Sequence, residues 1–162
     1  MSKVFSACPL FDAHKTFVRL PMGAAMLHDY PDSKKFIDKI TVHIPDAPQE
    51  FAHTQSFLKS YSRKSEATYR SYRNEVERLL LWSWTVAKKS IVSLKRADLE
   101  AYFDFVHSPP AHWVALSVAD RFKPIGGQSC QNQNWRPFVV KIAKQDRRKA
   151  LDSGLALPDT TS

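Results

Sequence analysis

The stretch SEATYRSYRNEVERLLLWSWTV, residues 65–86, decides how the rest of the chain is read. Apolar or aromatic side chains fall at Tyr69, Tyr72, Val76, Leu79, Leu80 and Trp84, in steps of three, four, three, one and four. That spacing keeps them on one side of a helix with 3.6 residues per turn. Ser65 is placed to cap the first turn, and Glu66 puts a negative charge at the positive end of the helix dipole. No Gly or Pro interrupts the run, and Lys88 and Lys89 follow it, where positive charge is favoured. The opposite face carries Arg70, Arg73, Glu77 and Arg78. Glu66–Arg70 and Asn74–Arg78 are each four apart, which predicts one ion pair and one polar pair. The helix has a core side and a basic side that is rich in hydroxyls near its start.

Working outward, Gln49 to Tyr61 predicts a helix, with Phe51, Phe57, Leu58 and Tyr61 recurring at steps of six, one and three, joined to the long helix by the polar turn Ser62-Arg63-Lys64. Ala87 to Ser93 forms a connection. Lys95 to His107 predicts a third helix, with Leu99, Tyr102, Phe103 and Val106 on one face and Pro109-Pro110 as its stop. Residues 111–134 read as a loop, given Pro124, Gly126, Gly127 and a polar run. A basic segment opens at Trp135, and Val139 to Leu151 predicts a short helix. Trp84 is expected in the core and Trp82 partly exposed. Tyr69 and Tyr72 lie on the apolar stripe and are expected to pack inward rather than touch a ligand.

Residues 1–48 are punctuated by Pro9, Pro21, Pro31, Pro45 and Pro48. The alternation of Ile40, Val42 and Ile44 predicts a short strand. Phe5, Phe11 and Phe17 are too apolar for a solvated tail, so an irregular, partly ordered arm is expected, packed on the helical domain or on a partner. The expected fold is all-α. A small bundle of about four helices occupies residues 49–162, with the arm before it and the basic segment at its end.

The chain has 162 residues, a formal net charge of +8 and a pI near 9.6. That balance points to a polyanion such as nucleic acid, with a merely solvated basic surface as the alternative. The excess is uneven: residues 1–48 hold six basic and five acidic residues, 49–110 ten and seven, 111–162 eight and four. Cys8 and Cys130 give no disulfide framework or metal spacing, which predicts a reduced, cytoplasmic protein. No apolar run approaches the ~18 residues of a membrane span, and no secretory h-region opens the chain. The six histidines are scattered without metal spacing, neither cysteine has a base nearby in sequence, and no phosphate-binding glycine motif is present. Catalytic residues, metal and cofactor are therefore not expected.

Phe57 to Val106 resembles the N-terminal core-binding domain of tyrosine recombinases, the phage-integrase family. The resemblance rests on order and spacing: a helix ending in FLKSYSRK; a Ser65-x-x-Thr68-Tyr69 helix start; the Arg-rich YRNEVERLLLWSW; and Ser93-Leu94-x-x-x-Asp98-Leu99-x-x-Tyr102 entering the third helix. Trp135-Arg136-Pro137-Phe138 is similar to a loop that precedes the fourth helix in some integrases. The resemblance implies a SAM-like bundle that clamps duplex DNA opposite a catalytic domain, with full-length protomers meeting in a synaptic tetramer. The family's catalytic residues, an Arg, a Lys, a His-x-x-Arg box and a Tyr nucleophile, are not accommodated here. The chain is thus expected to be a non-enzymatic fragment of a longer integrase.

Clamping a duplex needs phosphate contacts more than base readout. Hydroxyls and amides at a helix start hold phosphate well, helped by the dipole. Arg63, Lys64, Ser65, Thr68, Arg70 and Arg73 are the first candidate contacts, with a solvated helix face as the alternative. Lys88 and Lys89, beside Lys95 and Arg96, form a second cluster that equally suits a helix C-terminus. Arg136, Arg147 and Arg148, with Lys141, Lys144 and Lys149, form a third that could track a groove or stay solvated. Two other functions remain open: an independent helical DNA-binding regulator, and a helical protein-interaction module.

Overall fold

The computed structural model describes residues 7–140. Most of it is helical. Helix α1 spans His14–Phe17, α2 Pro31–His43, α3 Ala47–Ser62, α4 Glu66–Trp82 and α5 Arg96–His107. Short tight helical turns occupy Gly23–Asp29, Ile91–Ser93 and Ala111–Trp113. The expectation of an all-α fold needs correction, because four short strands form two small sheets. Strand β1 (Val114–Ala115) pairs in parallel with β4 (Phe138–Val139), and β2 (Phe122–Ile125) pairs antiparallel with β3 (Gln128–Gln131). The loop expected over 111–134 therefore contains a hairpin. Gly126 and Gly127, both at positive φ, make its two-residue turn.

Helix α4 begins where its sequence says it should. Ser65 is extended, and its Oγ accepts the Thr68 amide at 3.0 Å. After Trp82 the helix widens by one residue per turn through Ser83–Ala87 and stops at Lys88, which sits in the left-handed region at φ 57°. Glu66 and Arg70 pair at 3.8 Å as expected. The expected Asn74–Arg78 pair does not form: Asn74 accepts from Arg73 and Arg121, and Arg78 turns to Glu75 and the Pro137 carbonyl.

Residues 7–48 do more than decorate the helices. Leu10, Phe11, Phe17, Met26, Tyr30, Ile37 and Ile44 join one core with Phe51, Leu58, Tyr69, Leu80, Leu81, Trp84, Trp113, Trp135 and Phe138. Phe11 stacks flat on Phe51, with ring centroids 5.1 Å apart. The strand expected at Ile40–Ile44 is instead the end of α2. Pro31 suits the first turn of that helix, and Ile37, Ile40 and Ile44 fall at helical spacing, so only Val42 of the alternating set is exposed.

The main departure lies on the charged side of α4. Arg73, Glu77 and Arg78, expected to face solvent, are buried. Glu77, only 1% exposed, accepts the Leu10 amide at 2.8 Å and the Phe11 amide at 3.2 Å, and forms an ion pair with Arg121. A second buried acid, Glu50 on α3, accepts Trp84 Nε1 and the Ile91 amide, both at 3.0 Å through Oε1. Trp82 is buried too, against Tyr102. On α5 only Tyr102 is buried; Leu99 and Phe103, expected on the same face, are exposed.

Replacing Glu77 by Ala leaves Arg121 without its counter-charge and two buried amides without an acceptor. The expected loss is about 3–5 kcal/mol of stability, read as a large drop in urea midpoint or melting temperature. Glu77→Gln, which keeps an acceptor but not the charge, is expected to fall between the variant and the parent.

Candidate nucleic-acid interface

The candidate site lies at the turn between α3 and α4. The turn is held from behind: His14 Nε2 meets the Ser62 carbonyl at 2.7 Å, and α1 packs on α4 through Phe17 and Tyr69, with centroids 4.9 Å apart. Tyr69 is fully buried, as expected, and its hydroxyl donates to the Asp12 carbonyl at 2.7 Å. Burial pushes that phenol up from its ordinary range. In front of this support, Arg63, Lys64 and Ser65 are exposed and Thr68 is half-buried. The Ser65 and Thr68 hydroxyls lie 2.9 Å apart. Lys64 Nζ stands 5.2 Å from the centre of the Tyr61 ring. No carboxylate pairs with Arg63 or Lys64 among the described residues.

Six candidates were expected here, and they do not form one surface. Arg63, Lys64, Ser65 and Thr68 cluster at the turn. Arg70 is exposed but lies two residues, about 200°, around the helix from Thr68. Arg73 is a correction: 8% exposed, it donates to Asn74 Oδ1 at 3.1 and 3.2 Å and lies over the Tyr69 ring. Burial first, and nearby Arg121 second, lower its pKa to about 10, so it stays charged at neutral pH while serving the interior. At about 100° per residue Arg73 lies only about 40° from Tyr69, so helical spacing puts it on the apolar side rather than opposite it, where the Asp12 carbonyl also meets it.

The second cluster is divided between structure and solvent. Lys88 is exposed at the left-handed residue that ends α4. Lys89 is engaged, its Nζ lying 3.0 Å from Asp98 Oδ2. The Lys95 amide also donates to Asp98 at 2.9 Å, capping α5. That backbone bond first, and Lys89 second, hold the Asp98 carboxyl below its ordinary range. In the third cluster, Arg136 donates to the Gln133 and Trp135 carbonyls, both at 2.7 Å, so it braces its own loop. Arg147 and Arg148, with Lys141, Lys144 and Lys149, lie outside the described residues, as does nearly all of the expected helix from Val139; Val139 itself is in β4.

Two cations missed in the sequence belong to the segment that supports the turn. Lys15 and Arg19 are exposed on and just after α1, which reaches the turn through His14. Only the tertiary contact of α1 with α4 brings them there, and no local spacing signals it. Among the described residues no cluster of His, Cys, Asp and Glu could hold a metal ion, and no helix is long and apolar enough to cross a membrane. Comparison with known protein families, with characterised proteins and with solved structures finds no match.

Arg73→Ala is expected to lower the melting temperature, at a cost of about 1–3 kcal/mol, whereas Arg63→Ala is expected to leave it nearly unchanged. Asp98 makes a separate pH prediction. A carboxylate with a lowered folded pKa adds stability above its unfolded value, near ~4, and loses it as pH falls through the folded value. Asp98→Asn is therefore expected to flatten part of the acid limb in melts taken between about pH 5 and 2.

Proposed function

We propose that this chain binds double-stranded DNA through phosphate contacts at the α3–α4 turn, as the core-binding domain of a tyrosine site-specific recombinase. The observation that carries the reading is the exposed set Arg63, Lys64, Ser65 and Thr68 at the capped start of a long helix, on a chain of net charge +8. Phosphate oxygens are served there by two unpaired cations, two neighbouring hydroxyls and the positive end of α4. Helices α3, α4 and α5 follow the order that the resemblance to the integrase family calls for. The bundle's fourth helix would follow Trp135–Phe138, beyond the described residues. On this reading the cutting and rejoining of strands belongs to a separate catalytic domain, and protomers meet in a synaptic tetramer. A reduced, cytoplasmic setting suits the two free cysteines. The buried Cys8 thiol, pushed up to about 12 by burial, is a poor nucleophile at neutral pH.

A second reading has its own observation. Leu99 and Phe103, four apart on α5, present an exposed apolar strip, with Phe103 65% exposed. That strip suits a protein partner, and a helical interaction module would use it in place of DNA.

Duplex affinity measured against salt separates the two. DNA binding is expected to weaken linearly in log–log form, and Arg63→Ala/Lys64→Ala to make the slope shallower by roughly 1.8, or 0.9 for each lost phosphate contact. Lys89→Ala and Arg136→Ala are expected to leave the slope unchanged, because those cations are held by Asp98 and by loop carbonyls. No duplex binding at low salt would set the DNA reading aside in favour of the α5 strip.

A further inference from the structure

The α3–α4 hairpin also carries three aromatic rings that the core does not absorb. Phe57 and Tyr61 lie one turn apart on α3, and Tyr72 meets them from α4. Ring centroids are 4.9 Å apart for Phe57–Tyr61, 4.6 Å for Tyr61–Tyr72 and 5.8 Å for Phe57–Tyr72. Tyr72, expected to pack inward, is 40% exposed, and Phe57 is 39% exposed. Among the described residues no hydrogen bond occupies the Tyr61 or Tyr72 hydroxyl, in contrast to the buried hydroxyl of Tyr69. The rings preorganise one another, so a ligand that covers them orders few side chains.

The surroundings select the ligand. Lys64 Nζ stands over Tyr61, Arg63 is next to it in sequence, and no acidic residue occurs between Glu50 and Glu66. Thr68 and Tyr72 are four apart and share a face of α4, so the rings adjoin the phosphate-binding groups. An aliphatic partner would cover the rings but leave the cations and phenol hydroxyls unanswered. An intact duplex would answer the cations but offer no base faces. Aromatic faces beside a cationic edge match DNA whose bases are unpaired, with phosphates for the cations and π-faces for the rings. We infer that Phe57, Tyr61 and Tyr72 form a stacking platform for unpaired bases, so that this turn binds single-stranded or locally opened DNA in addition to duplex. The inference rests on the DNA-binding reading of the same turn.

The test compares two oligomers of about 12 nucleotides, an oligothymidine and an abasic strand with the same phosphates, together with a duplex. The parent protein is expected to prefer oligothymidine over the abasic strand by roughly five- to 150-fold for each stacked base. Tyr61→Leu/Tyr72→Leu is expected to abolish that preference with duplex affinity unchanged, and Tyr61→Phe/Tyr72→Phe to keep it. Arg63→Ala/Lys64→Ala is expected to weaken both oligomers alike. Should the double Leu variant melt early, the single Tyr72→Leu variant makes the same comparison. Equal binding of oligothymidine and the abasic strand by the parent, with the charge variant still weakening both, would overturn the platform and leave the DNA reading standing. Failure of every DNA probe at low salt would overturn both.

Discussion

The rest of the fold depends on the buried carboxylate of Glu77. It stands in the middle of α4 and takes three donors from two distant parts of the chain: the Leu10 and Phe11 amides and the Arg121 guanidinium. An isolated carboxylate in the interior costs several kcal/mol, so it persists only where charge and hydrogen bonds are both answered. Answering it fixes residues 7–12 and the 113–122 connection against the same turn of α4. Phe11 can then stack on Phe51, and Arg121 can lie over Trp135. The middle of α4 is left with little free surface, and its start is where it projects polar groups outward.

Cations engaged by the fold follow a similar logic with different acceptors. Lys59 donates to the Phe17 and Leu20 carbonyls and lies over the Phe17 ring; Arg78 donates to the Pro137 carbonyl and lies over Phe138. Each ties a segment distant in sequence to a helix. These residues count fully toward the net charge of +8 and offer little to a polyanion. With Arg73, Arg121, Lys89 and Arg136 also engaged, the basic surface available for binding is narrower than the composition suggests. Within the α3–α4 hairpin it narrows to the turn itself.

The helices that carry the fold were legible because their signals are local. The Ser65 cap, the 3.6-residue stripe through Tyr69, Leu80 and Trp84, and the Pro109-Pro110 stop each act within a turn or two. What was not legible is non-local. Nothing near Glu77 in sequence announces that Leu10 and Phe11 will bring their amides to it, so a charged helix face read as solvent-facing. The same blindness missed Lys15 and Arg19 and put Tyr72 inside, whereas Arg73 was legible and misread: it stands one turn from Tyr69 on the same side of the helix. Ile40–Ile44 failed for another reason: over so short a stretch, apolar side chains at 37, 40 and 44 satisfy a helix while 40, 42 and 44 satisfy a strand. The hairpin at Phe122–Gln131 hid behind its glycines, which mark a turn without saying that strands flank it.

The α3–α4 turn combines rigidity behind with unmet chemistry in front, and this combination favours it as a binding site over the α5 strip. Its backbone is restrained by His14 on the Ser62 carbonyl and by the Ser65 cap, so groups projecting from it lose little freedom on contact. Its cations and hydroxyls could be satisfied by water alone, but the rings beside them could not: exposed aromatic area costs free energy until something covers it. Leu99 and Phe103 share that cost, yet no cluster of unpaired cations stands beside them: Arg96 pairs with Glu100 at 3.2 Å and Lys89 with Asp98. A surface that joins apolar faces to unpaired positive charge is complementary to a narrower class of ligand than an apolar strip. Nucleic acid, with phosphates and bases alternating along one chain, meets both demands at once.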